Sequence, residues 1–174
     1  TAASMLKELG CGYVIVGHSE RRAIFGETSE QVAAKYIAAQ AAGIVPILCV
    51  GETLEEREAS ATEDIIDGQL DAVLDAAGVD SFASAVIAYE PVWAIGTGEN
   101  ATVEEAAEIH GLIRKIVAEK FKENKTKPLT ILYGGSVTSQ NSHELLQNDE
   151  IDGALVGGAS LNINSFCDII KSAQ

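Results

Sequence analysis

Short apolar runs alternate with longer segments of helical period along this chain. Tyr13 to Val16, Val45 to Val50, Ala85 to Ala88, Leu129 to Tyr133 and Ala154 to Val156 carry no charge and read as strands buried on both faces. Between and after them, Glu30 to Ala42, Leu54 to Ala76, Val103 to Phe121, a short stretch around Ser142 to Gln147, and Asn164 to Ser172 carry the helical period. Helix starts are signalled at Thr53-Leu54-Glu55-Glu56 and Thr102-Val103-Glu104-Glu105, where a hydroxyl can cap and a glutamate three residues on can reciprocate. Gly43 and Gly78 stand where C-terminal caps stand. The intervals between strands are long enough for the crossovers that parallel pairing requires, and right-handed crossovers stack the helices on one side of a curling sheet. No linker or low-complexity stretch interrupts the pattern, so residues 1–174 are expected to form one domain.

The polar candidates fall where strands end, which is where parallel α/β barrels assemble their sites. Glu90 emerges as the Ala85 strand stops, and Pro91 biases it toward extended backbone. Gly96 and Gly98 leave the far end of the same loop free to bend, so Glu90 suits a proton-abstracting base beneath a closing lid that also carries Trp93, the alternative for a carboxylate at a strand end being a helix cap or half of an ion pair. His18 follows the first strand, and Ser19-Glu20-Arg21-Arg22 can begin a helical turn after it. A histidine facing a helix N-terminus has its cationic form disfavoured and stays able to donate to a carbonyl oxygen. Gly134-Gly135-Ser136 and Gly157-Gly158 follow the last two strands, and such loops let backbone amides approach a phosphate. Gly96-Thr97-Gly98-Glu99-Asn100-Ala101 satisfies G-x-G-x-x-A, but its first glycine does not sit at a strand end and no acidic residue closes the next strand, so a dinucleotide site is rejected.

Five segments in order carry a resemblance: Val16-Gly17-His18-Ser19-Glu20-Arg21-Arg22, Cys49-Val50-Gly51-Glu52, Ala88-Tyr89-Glu90-Pro91-Val92-Trp93-Ala94-Ile95-Gly96-Thr97, Tyr133-Gly134-Gly135-Ser136-Val137 and Leu155-Val156-Gly157-Gly158-Ala159-Ser160-Leu161. The chain resembles the triosephosphate isomerase family from its first residue to its last. That resemblance implies a TIM (β/α)8 barrel, of which this chain of 174 residues, against roughly 250 for such barrels, is expected to supply about five βα units, strands 4 to 8. On this expectation the N-terminal portion, with the first three strands, a catalytic lysine and an asparagine, is absent. The resemblance further implies the glycolytic and gluconeogenic interconversion of dihydroxyacetone phosphate and D-glyceraldehyde 3-phosphate, a homodimer, and no cofactor. Glu90 would be the base, neutral His18 the group that polarises the carbonyl, an arrangement already known for that enzyme family. Glu20 would hold local charges in place, and Gly96, Ser136, Gly157 and Gly158 would bind the phosphate.

Composition narrows the alternatives. A formal charge of −14, from 26 acidic and 12 basic residues, disfavours nucleic acid and anionic membranes as partners. Three cysteines without C-x-x-C spacing fit reduced thiols in a cytoplasmic protein, and no His, Cys, Asp and Glu set has the spacing of metal ligands. No apolar run is long enough to span a bilayer, and no signal peptide is evident. Five strands leave two parallel edges and an interior face uncovered, so the chain alone is expected to self-associate or to need a complementing segment, and to be inactive or nearly so. Two other classes remain: a noncatalytic half-barrel that binds a phosphate or a protein partner, and another phosphosugar barrel enzyme. A Schiff-base aldolase would want a lysine at a strand end, and none is there.

Overall fold

The computed structural model describes residues 1–95, 100–120 and 129–173. Its five strands, β1 (Tyr13–Val16), β2 (Val45–Val50), β3 (Val86–Tyr89), β4 (Thr130–Tyr133) and β5 (Gly153–Ala154), form one parallel sheet in the order β1-β2-β3-β4-β5. Eight α-helices are described: α1 (Ala3–Glu8), α2 (Ser19–Phe25), α3 (Ser29–Ala41), α4 (Leu54–Glu58), α5 (Thr62–Ala77), α6 (Val103–Lys120), α7 (Ser142–Leu146) and α8 (Ile163–Ser172). Each strand neighbours the next in sequence, the pattern that repeated βα units produce. The numbering as strands 4 to 8 of an eight-stranded barrel is corrected here. Counted from residue 1 the sheet holds the first five βα units of this chain, and its outer strands β1 and β5 each have a neighbour on one side only.

The register explains where the core sits. Val16 pairs with Leu48, Leu48 with Ile87, Val50 with Tyr89, and Ile87 with Ile131, so these side chains form rows across one face of the sheet. That face packs on Val32 and Tyr36 of α3, Ile66, Leu70 and Val73 of α5, and Ile113 and Ile116 of α6, in a single buried cluster. Burial on both faces, as the apolar runs predict, holds for only part of the sheet. On the opposite face Tyr13 is 63% exposed and Ile15 44%, because among the described residues no strand lies across from the open sheet to cover that side.

Helix ends follow their signals. Thr53 and Thr102 each accept from the backbone N–H three residues on while the glutamate there accepts from the threonine N–H, closing both expected capping boxes. The predicted helix from Leu54 to Ala76 is instead two, because Ser60 takes a left-handed φ of 57° and turns the axis between α4 and α5. Helix α1 and the full length of α2 carry no strong periodic signal. The last residue expected in the Val103 helix, Phe121, lies outside the described residues.

Candidate active site

Gly17 ends β1 with φ +74°, and a Cβ there would lie 2.9 Å from Val32 Cγ1 and 3.2 Å from the Cys49 carbonyl, so only glycine makes this turn comfortably. The turn delivers His18 as the N-cap of α2, 31% exposed, with Nδ1 accepting from the Glu20 backbone N–H at 3.3 Å. An accepting Nδ1 leaves the proton of the neutral ring on Nε2. That nitrogen stands 3.0 Å from Glu90 Oε1. The two residues come from different βα units, and the structure brings them together.

Glu90 follows β3 and is 2% exposed. Its Oε2 accepts from the Ser19 backbone N–H at 2.9 Å, and its Oε1 from the Ser19 hydroxyl at 3.2 Å. Burial raises the Glu90 carboxyl above the ordinary carboxylate range, and the neighbouring His18 and the Ser19 amide pull it back down. Cys49 of β2, itself fully buried, touches the same carboxylate, and its thiol is pushed well up by burial first and by Glu90 second. A base of raised basicity, oriented by fixed donors, is suited to removing a proton from carbon.

Two glycines make room for it. A Cβ on Gly51 would fall 1.7 Å from the Glu90 carbonyl oxygen, and one on Gly134 would fall 3.0 Å from Glu90 Cγ and 3.0 Å from the Tyr89 carbonyl. Gly134 therefore serves the seating of the carboxylate, beyond any part in anion binding. Ser19, Cys49, Gly51 and Gly134 are contacts of the site that periodicity and spacing do not reveal. The strings around them, which carry the resemblance, are the only sequence signal that could have found them.

A cleft of about 490 Å3 opens on the uncovered face of the sheet, lined by His18 and Glu20 after β1, Gly134 to Thr138 after β4, and Leu155 to Ala159 after β5. It gathers Ser136, Gly157 and Gly158 beside the imidazole. Asn141 Nδ2 donates to the Ser136 carbonyl at 2.9 Å and fixes that loop, while the Ser160 hydroxyl and N–H both donate to the Gly157 carbonyl at 2.7 and 2.9 Å and fix the other. Glu20 has an exposed side chain, and its contact with the site is the backbone amide on His18. Glu90 is turned toward Ser19, away from the cleft, and lines a smaller cavity of about 260 Å3 with Arg22, Gly51 and Gln69. Gly96, with the rest of the expected lid glycines, lies outside the described residues. Among the described residues no group of three His, Cys, Asp or Glu side chains could hold a metal ion, and no helix is long and apolar enough to cross a membrane.

Comparison with known proteins gives the family. A family profile described as triosephosphate isomerase matches residues 1–173. The triosephosphate isomerase of Alcanivorax borkumensis is 55% identical over 173 residues, covering 99% of this chain and 70% of its own length. That of Halorhodospira halophila is 56% identical over 172 residues, with 99% of this chain and 69% of its own length covered. That of Hydrogenovibrio crunogenus is 54% identical over 173 residues, with coverage of 99% and 68%. The match starts at residue 1 and takes in all five parallel strands in chain order, so they stand as the first five βα units here and the assignment to strands 4 to 8 is withdrawn.

Proposed function

The chain belongs to the triosephosphate isomerase family, and from that premise we propose that His18 and Glu90 carry out proton transfer on a triose phosphate held in the cleft. Glu90 takes a proton from the hydroxyl-bearing carbon next to the carbonyl of dihydroxyacetone phosphate. The electron pair left behind forms the enediolate, and the Nε2–H of neutral His18 donates to the oxygen where charge develops. Through His18 the hydroxyl proton on the first oxygen passes to the former carbonyl oxygen, and return of the carbon-derived proton from Glu90 to the neighbouring carbon gives D-glyceraldehyde 3-phosphate. The observation that carries this reading is the 3.0 Å contact between a 2%-exposed carboxylate and an imidazole whose other nitrogen is occupied by a helix N-terminal amide. To act, Glu90 must exchange its Ser19 contacts for the substrate. Glu20 contributes the amide that fixes the tautomer of His18.

Ser136, Gly157 and Gly158 hold the phosphate through backbone amides and the Ser136 hydroxyl. No lysine or arginine lines the described cleft, and the chain carries −14 overall, so the dianion is bound weakly and turnover by this chain is slow. A cytoplasmic location fits the reduced cysteines, and the excess negative charge argues against nucleic acid and anionic membrane surfaces. A homodimer of the kind the resemblance implies has an apolar face available on α2, where Ile24 and Phe25 are 70% and 66% exposed. Residues 1–174 act as one partial barrel domain.

The test is deuterium incorporation from D2O into dihydroxyacetone phosphate alongside titration with glycerol 3-phosphate. Glu90→Asp withdraws the carboxylate by about one C–C bond and should slow exchange by at least ~100-fold, about 3 kcal/mol of barrier, while the affinity for glycerol 3-phosphate stays within about twofold. Equal loss of both would contradict the assignment.

A further inference from the structure

Resting on the reading of Glu90 as the base, we propose that Arg57 is a positioning residue that holds the backbone on both sides of Glu90 and ties it to the start of α6. Arg57 sits in the last turn of α4, far in sequence from two of the three residues it touches, Trp93 and Glu105, and is 29% exposed. Its guanidinium lies 4.5 Å over the Trp93 ring. One arm, Nη1, reaches Glu52 Oε1 at 3.5 Å, and the other, Nη2, reaches Glu105 Oε1 at 2.6 Å. A planar fork that stacks and pairs at the same time is chemistry that arginine has and lysine lacks.

The Glu52 contact gives the arrangement its consequence. Glu52 is fully buried, and besides Arg57 its Oε1 accepts from the Tyr89 hydroxyl at 3.1 Å and Trp93 Nε1 at 3.0 Å. Its backbone carbonyl accepts from the Val92 N–H at 3.1 Å. Tyr89 immediately precedes Glu90, and Val92 and Trp93 follow two and three residues after it, so Glu90 is bracketed by groups attached to a single buried residue, Glu52. Among the described residues Arg57 is the cation paired with that carboxylate. Without it Glu52 is a buried charge whose remaining partners are neutral, a costly state that the segment relieves by moving. On its far side Arg57 holds Glu105, which with Thr102 forms the capping box of α6. Residues 89–93 and 102–105 are thereby fixed against each other through one guanidinium.

The experiment uses the whole chain with Arg57→Leu, Arg57→Lys and the pair Arg57→Leu/Glu52→Gln, and Arg114→Leu as a control at another ion-paired arginine of equal exposure. Trp93 is the single tryptophan, so its emission and iodide quenching report the stack directly. The ring 15N resonances of His18 report whether Glu90 keeps its place, and exchange of the dihydroxyacetone phosphate proton with D2O is measured against glycerol 3-phosphate affinity. Arg57→Leu is expected to shift Trp93 emission, raise quenching at least twofold, move the His18 Nε2 resonance and slow exchange about tenfold, with glycerol 3-phosphate affinity within twofold. Arg57→Lys should fall between, and removal of the Glu52 charge in the double variant should restore the His18 resonance. An unshifted His18 resonance in folded Arg57→Leu, or an equal shift in Arg114→Leu, overturns the proposal. Should Arg57→Leu fail to fold, Arg57→Lys and the double variant decide it by the same signals. Absence of exchange in the unsubstituted chain would count against the reading of Glu90 as base, and leaves the Arg57 proposal to be judged on Trp93 and His18.

Discussion

Acid should weaken this fold through His110. The ring lies in the middle of α6 with no exposed surface, edge-on to Tyr89 at 6.0 Å between centroids. Nδ1 stands 3.1 Å from the Glu150 carbonyl and donates to it, while Nε2 is buried with no partner. A second proton would have to sit on that nitrogen. Burial first, with Arg114 adding to it, lowers the pKa of His110 from 6.5 to about 4, against the pull of the Glu150 carbonyl and Asp152. In the unfolded chain the imidazole titrates at its ordinary value. Between the two values the unfolded state binds a proton that the folded state refuses, so stability rises with pH across this window and is lost as pH falls through it. The gap corresponds to about 2 kcal/mol lost by pH 5 and about 3 kcal/mol by pH 4, a large part of the 5–15 kcal/mol that holds a domain together. Urea unfolding followed by circular dichroism from about pH 8 to pH 5 measures the slope. His110→Gln keeps a donor for the Glu150 carbonyl and carries no titrating group, so its curve should be flatter than the parent's by about 2 kcal/mol over that range. Parallel curves for the two proteins would refute the argument, whatever their absolute stabilities.

Further outcomes follow from contacts already described. Gly51→Ala drives a methyl into the Glu90 carbonyl and should cost at least ~3 kcal/mol in urea unfolding, the upper end of ordinary overpacking; a loss below 1 kcal/mol would mean that strands β2 and β3 part easily there. Gly157→Ala places its Cβ in open space, so the melting midpoint should move by no more than ~2 °C while glycerol 3-phosphate affinity falls about tenfold; unchanged affinity would remove Gly157 from the phosphate site. Tyr13 on the open face is 63% exposed, and Leu161 and Ile163, between β5 and α8 and at the start of α8, are 91% and 77% exposed, so sedimentation velocity should show association that grows with concentration; a clean monomer melting cooperatively would contradict it.

How much of this was written in the sequence depends on the range over which each signal acts. Strands β1 and β2 were legible to the residue because a short apolar run bounded by glycine or a helix end has one reading, and the capping boxes at Thr53 and Thr102 were legible because the partners are three residues apart. The break at Ser60 was not, since a helical period continues across a change of axis that only a positive φ discloses. His18 and Glu90 stood out as polar residues at strand ends. What holds them did not stand out: the Ser19 amide lies 71 positions from Glu90, and the Cβ-free surface of Gly51 matters only because β2 lies against β3. The paired glycines differ in what surrounds them, which their sequence does not show. Gly157 and Gly158 are free of neighbours, as an anion-binding loop requires, whereas Gly134 and Gly135 are hemmed in by Glu90, Tyr89 and Tyr133. One motif of two glycines thus gives an open loop at the cleft, and another gives a wall against which Glu90 is set. The difference lies in tertiary packing, and a Gly-Gly dipeptide carries no trace of it.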